Sequence, residues 1–239
     1  FVDDLMEWCH DLLNRDCASE VVTMDDICAA IQTAHQDKRI YNENGRIYRF
    51  FERQCEVQVS KRLVSMLLHG EVPDITHLED EIELSERKLN QKLAPSQRHA
   101  VELCLTHPVS IITGGPGTGK TTTLRVILDI YHRALPDYEI LLAAPTGKAS
   151  RRMSEQTGFP ASTLHAAMAL TYDDDLESDE YEMLSADLVI VDECSMVDMR
   201  LAYALFVRLK PGAQLIMVGD PDQLPSVGPG NVLREMIRS

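Results

Sequence analysis

The hydrophobic and polar positions of the chain fall into two regimes. In the first, "FVDDLMEWCHDLLN" reads as an amphipathic helix. "MDDICAAIQTAHQ" reads as a second, with Thr23 placed to cap it and acids in its first turn to complement the helix dipole. "KRIYNENGRIYRF" sets two β-rich runs around Asn-Glu-Asn-Gly, a hairpin signal in which Gly45 is free to take positive φ. "ERQCEVQVSKRLVSMLL" predicts a third helix. The order of helices and hairpin predicts a small helical, winged-helix-like domain over residues 1–70.

Residues 71–92 are acidic, contain Pro73 and read as a linker. Beyond Pro95 the pattern changes to apolar strands alternating with helices: "PVSIIT", "TTTLRVILDIYHRAL", "EILLAAP", "GKASRRMSEQ", "ASTLHAAMAL", "ADLVIVDE", "MRLAYALFVRL" and "AQLIMVG". Strands written as continuous apolar runs and separated by helices predict an α/β fold, a parallel sheet with helices on both faces, over residues 93–239.

Composition bounds what these two parts can do. A chain of 239 residues has room for one large α/β domain and a smaller one. Its longest apolar run falls far short of the roughly 18 residues that span a bilayer, so a soluble protein is expected. Six cysteines are scattered without a C-x-x-C pair, so spacing shows neither a zinc ribbon nor a disulfide framework. Free thiols in a reducing cytoplasm are expected, in line with the absence of a visible secretory signal. The first residue is Phe1, not Met, which points to a fragment of a longer chain.

The net charge of −15 looks wrong for a nucleic-acid binder, since phosphate contacts need Lys and Arg. Its distribution softens the objection. "DDDLESDEYE" and "EVPDITHLEDEIELSE" each carry seven acids, and the rest of the chain is nearly neutral. Acidic runs of this kind read as solvated loops or linkers.

The chemistry begins at "GGPGTGKT", Gly114 to Thr121, which satisfies G-x-x-x-x-G-K-[ST] between a predicted strand and a long helix. Its glycines let the backbone bend round phosphates, so that amide N–H groups and the helix N-terminus face negative charge. Gly115, Pro116, Gly117, Thr118, Gly119, Lys120, Thr121 and Thr122 are the predicted nucleotide contacts. Lys120 is placed for the β and γ phosphates and the Thr121 hydroxyl for Mg²⁺. "LVIVDE" ends a buried strand in Asp192-Glu193, putting two carboxylates at the same edge of the sheet. Asp192 is expected to hold Mg²⁺ and Glu193 to orient and deprotonate the attacking water. Alone, such a pair is more often a helix cap. Together with the loop it reads as a hydrolase pair.

The remaining loops point to a particular kind of NTPase. "LAPSQRHAVE", "AAPTGKASRRM", "STLHAAM", "DECSM" and "GDPDQLPSVGPG" occur in the order found in superfamily 1 helicases. The chain resembles their RecD/TraA branch, which includes the α subunit of exodeoxyribonuclease V. The resemblance covers residues 93–239 and is weak before them. It implies a RecA-like lobe, ATP as the nucleotide with Gln97 reading the adenine, and Gln223 as a γ-phosphate sensor. It also implies a path for single-stranded DNA lined by Thr146, Lys148, Thr163 and His165, movement in the 5′ to 3′ direction, and a part in DNA recombination and repair. Residue chemistry leaves simpler readings open: Thr146 and Thr163 as helix caps, His165 as an ordinary helical histidine, and Gln223 as a surface-turn glutamine, while Arg151 and Arg152 are open to two readings, contact with the DNA backbone or a solvated helix face.

Superfamily 1 motors use a second lobe that supplies an arginine finger, worth about 10³ to 10⁵ in rate. The chain ends at Ser239 without it, so nucleotide binding with poor hydrolysis is expected of this stretch alone. The alternative function is a non-motor module that docks onto partner subunits of an exodeoxyribonuclease V complex.

Overall fold

The computed structural model describes residues 1–170 and 181–239, so most of the acidic run "DDDLESDEYE" lies outside the described residues. The chain divides into two compact units, Phe1–Val57 and Gln58–Ser239.

The first unit contains α1 (Val2–Asn14), α2 (Met24–Gln36), the hairpin β1 (Ile40–Glu43) and β2 (Arg46–Arg49), and the start of α3 (Phe50–His69). Thr23 caps α2 as its sequence predicts, accepting from the Asp26 amide at 3.2 Å while Asp26 accepts in return from the Thr23 amide at 3.0 Å. Asn44 and Gly45 both have positive φ, +53° and +78°, which a tight hairpin turn requires. The Arg53 guanidinium lies over the rings of Tyr41 and Tyr48, at 5.8 Å and 5.9 Å from their centroids, and pairs with Glu43. A cation stacked on both strands ties the hairpin to α3.

In the second unit, a five-stranded, wholly parallel sheet runs in the order β3 (Val109–Thr113), β7 (Gln214–Gly219), β6 (Leu188–Val191), β4 (Ile140–Ala144), β5 (Ala161–Thr163). The helices of this unit are α4 (Leu78–Lys88), α5 (Pro95–Thr106), α6 (Lys120–Ala134), α7 (Gly147–Thr157), α8 (Leu164–Ala167), α9 (Met199–Arg208) and α10 (Val232–Arg238). Side chains alternate across the pleat into two cores. Ile112, Leu142, Ile190, Ile216 and Val218 face α5 and α6, whereas Ala143, Val189, Val191, Leu215 and Met217 face α9 and α10. Every residue of β6 and β7 is buried, and for this reason both read as almost wholly apolar runs. The one polar side chain among them, Gln214, accepts from the Tyr131 hydroxyl at 2.8 Å and donates to the His107 carbonyl at 3.2 Å.

Half of the stretch read as an acidic linker, residues 71–92, is helix. Leu78–Lys88 forms α4, which carries three acids in its first turn and Arg87 and Lys88 in its last, both favourable to the helix dipole. Ile82 and Ser85 are fully buried, so the apolar stripe of this helix was hidden among its acids. The anchor is Asp129 on α6. It accepts from the Ser85 hydroxyl at 2.7 Å and from Lys88 Nζ at 2.5 Å, and Arg133 lies 3.8 Å away. Burial raises the Asp129 carboxyl, but the bonds from Lys88 and Ser85 and the Arg133 charge outweigh it and leave the group below its ordinary range. A depressed native carboxyl adds stability above the unfolded-state pKa and loses it as pH falls through the native one. Asp129→Asn is therefore expected to cost about 2 kcal/mol near pH 7 and clearly less near pH 3. Urea denaturation at the two pH values measures the difference.

Candidate functional site

The register of the sheet brings the predicted motifs to one edge. Thr113 lies opposite Gly219, Val191 opposite Met217, Ala143 opposite Val191, and Ala144 opposite Thr163. The segments beginning at Gly114, Pro145, Asp192 and Asp220 consequently leave from the same carboxyl ends of the strands, with Thr163 closing the row. This is the edge where open parallel sheets bind ligands.

The phosphate loop spans Gly114 to Gly119 and delivers Lys120 as the first residue of α6. Gly114, Gly117 and Gly119 have φ of +156°, +77° and +87°, which glycine adopts without strain. Gly119 is doubly constrained, because a Cβ there would fall 2.1 Å from Gln97 Nε2. Gln97 sits at the start of α5, accepts from the Ala94 amide at 2.9 Å and donates to the Thr118 carbonyl at 2.9 Å, so it braces the loop from outside. The Thr118 hydroxyl donates to the Gly115 carbonyl at 2.9 Å. The Lys120 ammonium donates to the carbonyls of Gly114 and Gly115, holding its charge over the loop. Pro116 is exposed and Thr122 half-buried; the Thr121 hydroxyl donates to Gln156 Oε1 at 3.3 Å and keeps its lone pairs.

Asp192 follows β6, its amide bonded to the Ala143 carbonyl at 2.9 Å and its Oδ1 accepting from the Glu193 amide at 2.8 Å. Burial pushes the Asp192 carboxyl up, against the pull of the Glu193 amide and the charges of Lys120 and Arg152. Glu193 has φ +54°, an uncommon conformation for a residue with a side chain, as the chain turns into a short 3₁₀ segment, Cys194–Met196. That segment and α10 pack on Gly219, where a Cβ would come 2.6 Å from Leu233 Cδ2, 3.2 Å from the Cys194 amide and 3.3 Å from the Ser195 amide.

The loop after β7 is built round its first residue. Asp220 is 6% exposed, and its carboxylate accepts from the Asp222 amide at 3.1 Å and from Gln223 Nε2 at 3.2 Å. Its Oδ2, the oxygen that accepts from Gln223, lies 4.0 Å from where a Cβ on Gly115 would stand, so the Gln223 amide is held beside the phosphate loop. Further along, the Ser226 hydroxyl donates to the carbonyls of Gly228 and Gly230, and the Met199 amide to the Pro229 carbonyl. The three prolines of this loop therefore lie in a path pinned to the start of α9.

Both threonines of the predicted DNA path cap helices. Thr146 Oγ1 accepts from the Ala149 amide at 3.3 Å and Thr163 Oγ1 from the Ala166 amide at 3.1 Å. Each hydroxyl keeps its own proton to donate, so capping and phosphate contact are compatible. Lys148 and His165 are exposed on α7 and α8, as are Arg151 and Arg152.

Residues 97–229, more than half of the chain, match the AAA domain family. The chain belongs to that family. The AAA domain thus begins at the glutamine that braces the phosphate loop and ends within the loop after β7. The chain is 38% identical over 144 residues to the ATP-dependent RecD2 DNA helicase of Deinococcus radiodurans, covering 60% of this chain and 20% of that protein. It is 37% identical over 162 residues to the RecBCD enzyme subunit RecD of Mycobacterium tuberculosis, covering 59% of this chain and 28% of that one. The likeness to RecD proteins that the motif order predicts is thus found, and the chain spans 20% to 28% of the length of these two relatives. A solved structure of Bacteroides sp Pif1 in complex with ADP-AlF4 is 27% identical, aligned over 62% of this chain and 36% of that one, with a TM-score of 0.39. Among the described residues, no helix is long and apolar enough to cross a membrane.

One residue that shapes this edge, Asp220, lies outside the predicted site residues: the motif singles out the glutamine three residues later, although an acid directly after a buried strand marks the position. The effect of Arg152 on Asp192 had no signal in sequence, since it depends on how α7 returns over the sheet.

The glycines of the AAA domain can be told apart by experiment. Gly117→Ala meets nothing within 4 Å and carries only the strain of positive φ, about 1 kcal/mol. Gly119→Ala adds the collision with Gln97 and is expected to lower the melting temperature by at least twice as much. In a Gln97→Ala background the excess should largely disappear.

Proposed function

We propose that this chain is the nucleotide-binding motor lobe of an ATP-dependent DNA helicase of the RecD-like branch of superfamily 1. The observation that carries this reading is the meeting, at one sheet edge of an AAA domain, of the phosphate loop, the Asp192-Glu193 pair and the Asp220–Gln223 turn. Lys120 would bind the β and γ phosphates, with the loop amides and the positive end of α6 adding to its charge. Glu193 would orient and deprotonate the attacking water, and Gln223 would report the γ-phosphate. Gln97 would hold the loop in shape while its remaining N–H group reads the base.

The donor set fits Mg²⁺. The Thr121 hydroxyl and the Asp192 carboxylate are hard oxygen donors, and no group of three or more His, Cys, Asp or Glu able to hold a metal occurs among the described residues. An ion that keeps its waters and takes substrate phosphates as ligands needs no more from the protein. When bound it would neutralise phosphate charge, and would itself hold Asp192 ionised against the burial that raises it.

Single-stranded DNA would run over Thr146, Lys148, Thr163 and His165, contacting phosphates through hydroxyl and ammonium donors. Movement in the 5′ to 3′ direction, a role in recombination and repair, a cytoplasmic location, and an accessory role for a winged-helix-like N-terminal unit belong to the same proposal. A second reading draws on the relative named as a RecBCD enzyme subunit. In it, this chain also contacts partner subunits of a nuclease complex, and co-purification with such subunits would support it.

The test is DNA-stimulated ATP hydrolysis by the protein. Lys120→Ala is expected to lower the rate by about 10² or more, the scale of losing one preorganised charge at a developing anion. Gln223→Ala is expected to keep ADP binding, weaken ATP binding and lose most of the stimulation by DNA. An unchanged rate in Lys120→Ala would remove the proposed nucleotide site.

A further inference from the structure

We propose that Asp220 is a positioning residue that holds the Gln223 amide in one orientation beside the phosphate loop, so that discrimination of the γ-phosphate needs both side chains. This rests on the nucleotide site proposed above.

A carboxylate only 6% exposed is costly to bury and persists where hydrogen bonds compensate it. Asp220 has two such partners, with different consequences. The bond from the Asp222 amide to Oδ1 closes a local turn, as an aspartate at a strand end commonly does. The bond from Gln223 Nε2 to Oδ2 is a side-chain contact that the turn does not need, since the Gln223 amide is already bonded to the Asp220 carbonyl at 3.2 Å. A carboxylate next to Gly115 also opposes phosphate binding by like-charge repulsion, so local packing does not account for its place.

Orientation supplies the account. The terminal torsion of a glutamine is broad and nearly two-fold, so a free amide exchanges its donor and acceptor ends. An ionised carboxylate only accepts, and therefore fixes Nε2 toward Asp220. Gln223 is left with one N–H group and Oε1 in defined directions, a donor for a phosphate oxygen and an acceptor for a water. The family reading assigns Gln223 the sensing role, and the structure assigns Asp220 the task of setting which end of the amide senses.

The experiment titrates the full chain with fluorescent ATP and ADP analogues in the presence of Mg²⁺ and compares the ratio of the two affinities. Gln223→Ala is expected to lower the preference for ATP about fivefold to tenfold, the loss of one well-placed hydrogen bond. Asp220→Ala should lower it similarly, and the double variant should be no worse than either alone. Asp220→Asn keeps the shape but offers a donor in place of one acceptor. It should reduce the preference at least twofold, and in the nucleotide-free chain it should shift the Gln223 side-chain amide resonances in NMR spectra.

Effects at the two positions that multiply independently would overturn the inference. So would an unchanged ATP preference in folded Asp220→Asn, or Gln223 amide resonances indifferent to that substitution. A Lys120→Ala variant that binds nucleotide as well as the unsubstituted chain, or an unsubstituted chain that binds none, would bring down the nucleotide site and this inference with it. Binding that depends on Lys120 but shows no coupling between positions 220 and 223 would overturn this inference alone.

Discussion

The structure depends on the hydrogen-bonding of an all-parallel sheet. Strands that pair in parallel must be joined by crossovers, and crossover helices cover both faces, so each loop that leaves a strand's carboxyl end emerges on the same edge. Here that requirement sets the phosphate loop after β3, the acidic pair after β6 and the Asp220–Gln223 turn after β7 side by side, with β7 between the other two. No local sequence preference could do this. The spatial neighbours are far apart in the chain and adjacent only through strand order.

Burial then decides the chemistry at the edge. With β6 and β7 wholly inside the protein, the residues that follow them are drawn partly out of water, and their charges respond to few neighbours. Asp192 is raised by burial and pulled back by Lys120 and Arg152, while Asp220 is held by its own turn and by Gln223. The glycines meet a different demand. Gly119 and Gly219 are places where another part of the chain comes so close that a methyl group would collide with it. At Gly119 that neighbour is the Gln97 side chain, and at Gly219 it is Leu233 of α10, with the Cys194 and Ser195 amides just beyond.

Much of this was legible in the residues. The phosphate loop announces itself because its work is done by local backbone geometry, and the spacing of glycines, lysine and threonine is that geometry written in sequence. The strands were legible because a buried parallel strand has no polar face. The capped helix at Thr23 and the hairpin at Asn44-Gly45 were readable for the same local reason. Helix α4 was obscured, since its acids resemble a solvated linker and only Ile82 and Ser85 betray the buried stripe. The partner that makes the helix worth forming, Asp129, lies 44 residues from Ser85.

By itself the sequence determined most of the element types, the parallel α/β class, the phosphate-loop motif and the likeness to RecD proteins, because each is carried by neighbours along the chain. Only the tertiary structure decided that Gln97 braces Thr118 across 21 residues, that α4 belongs to the core, and that the buried carboxylate holding Gln223 lies next to Gly115. Those contacts are set by strand order and close packing, which bring together residues whose separation in sequence carries no trace of the meeting.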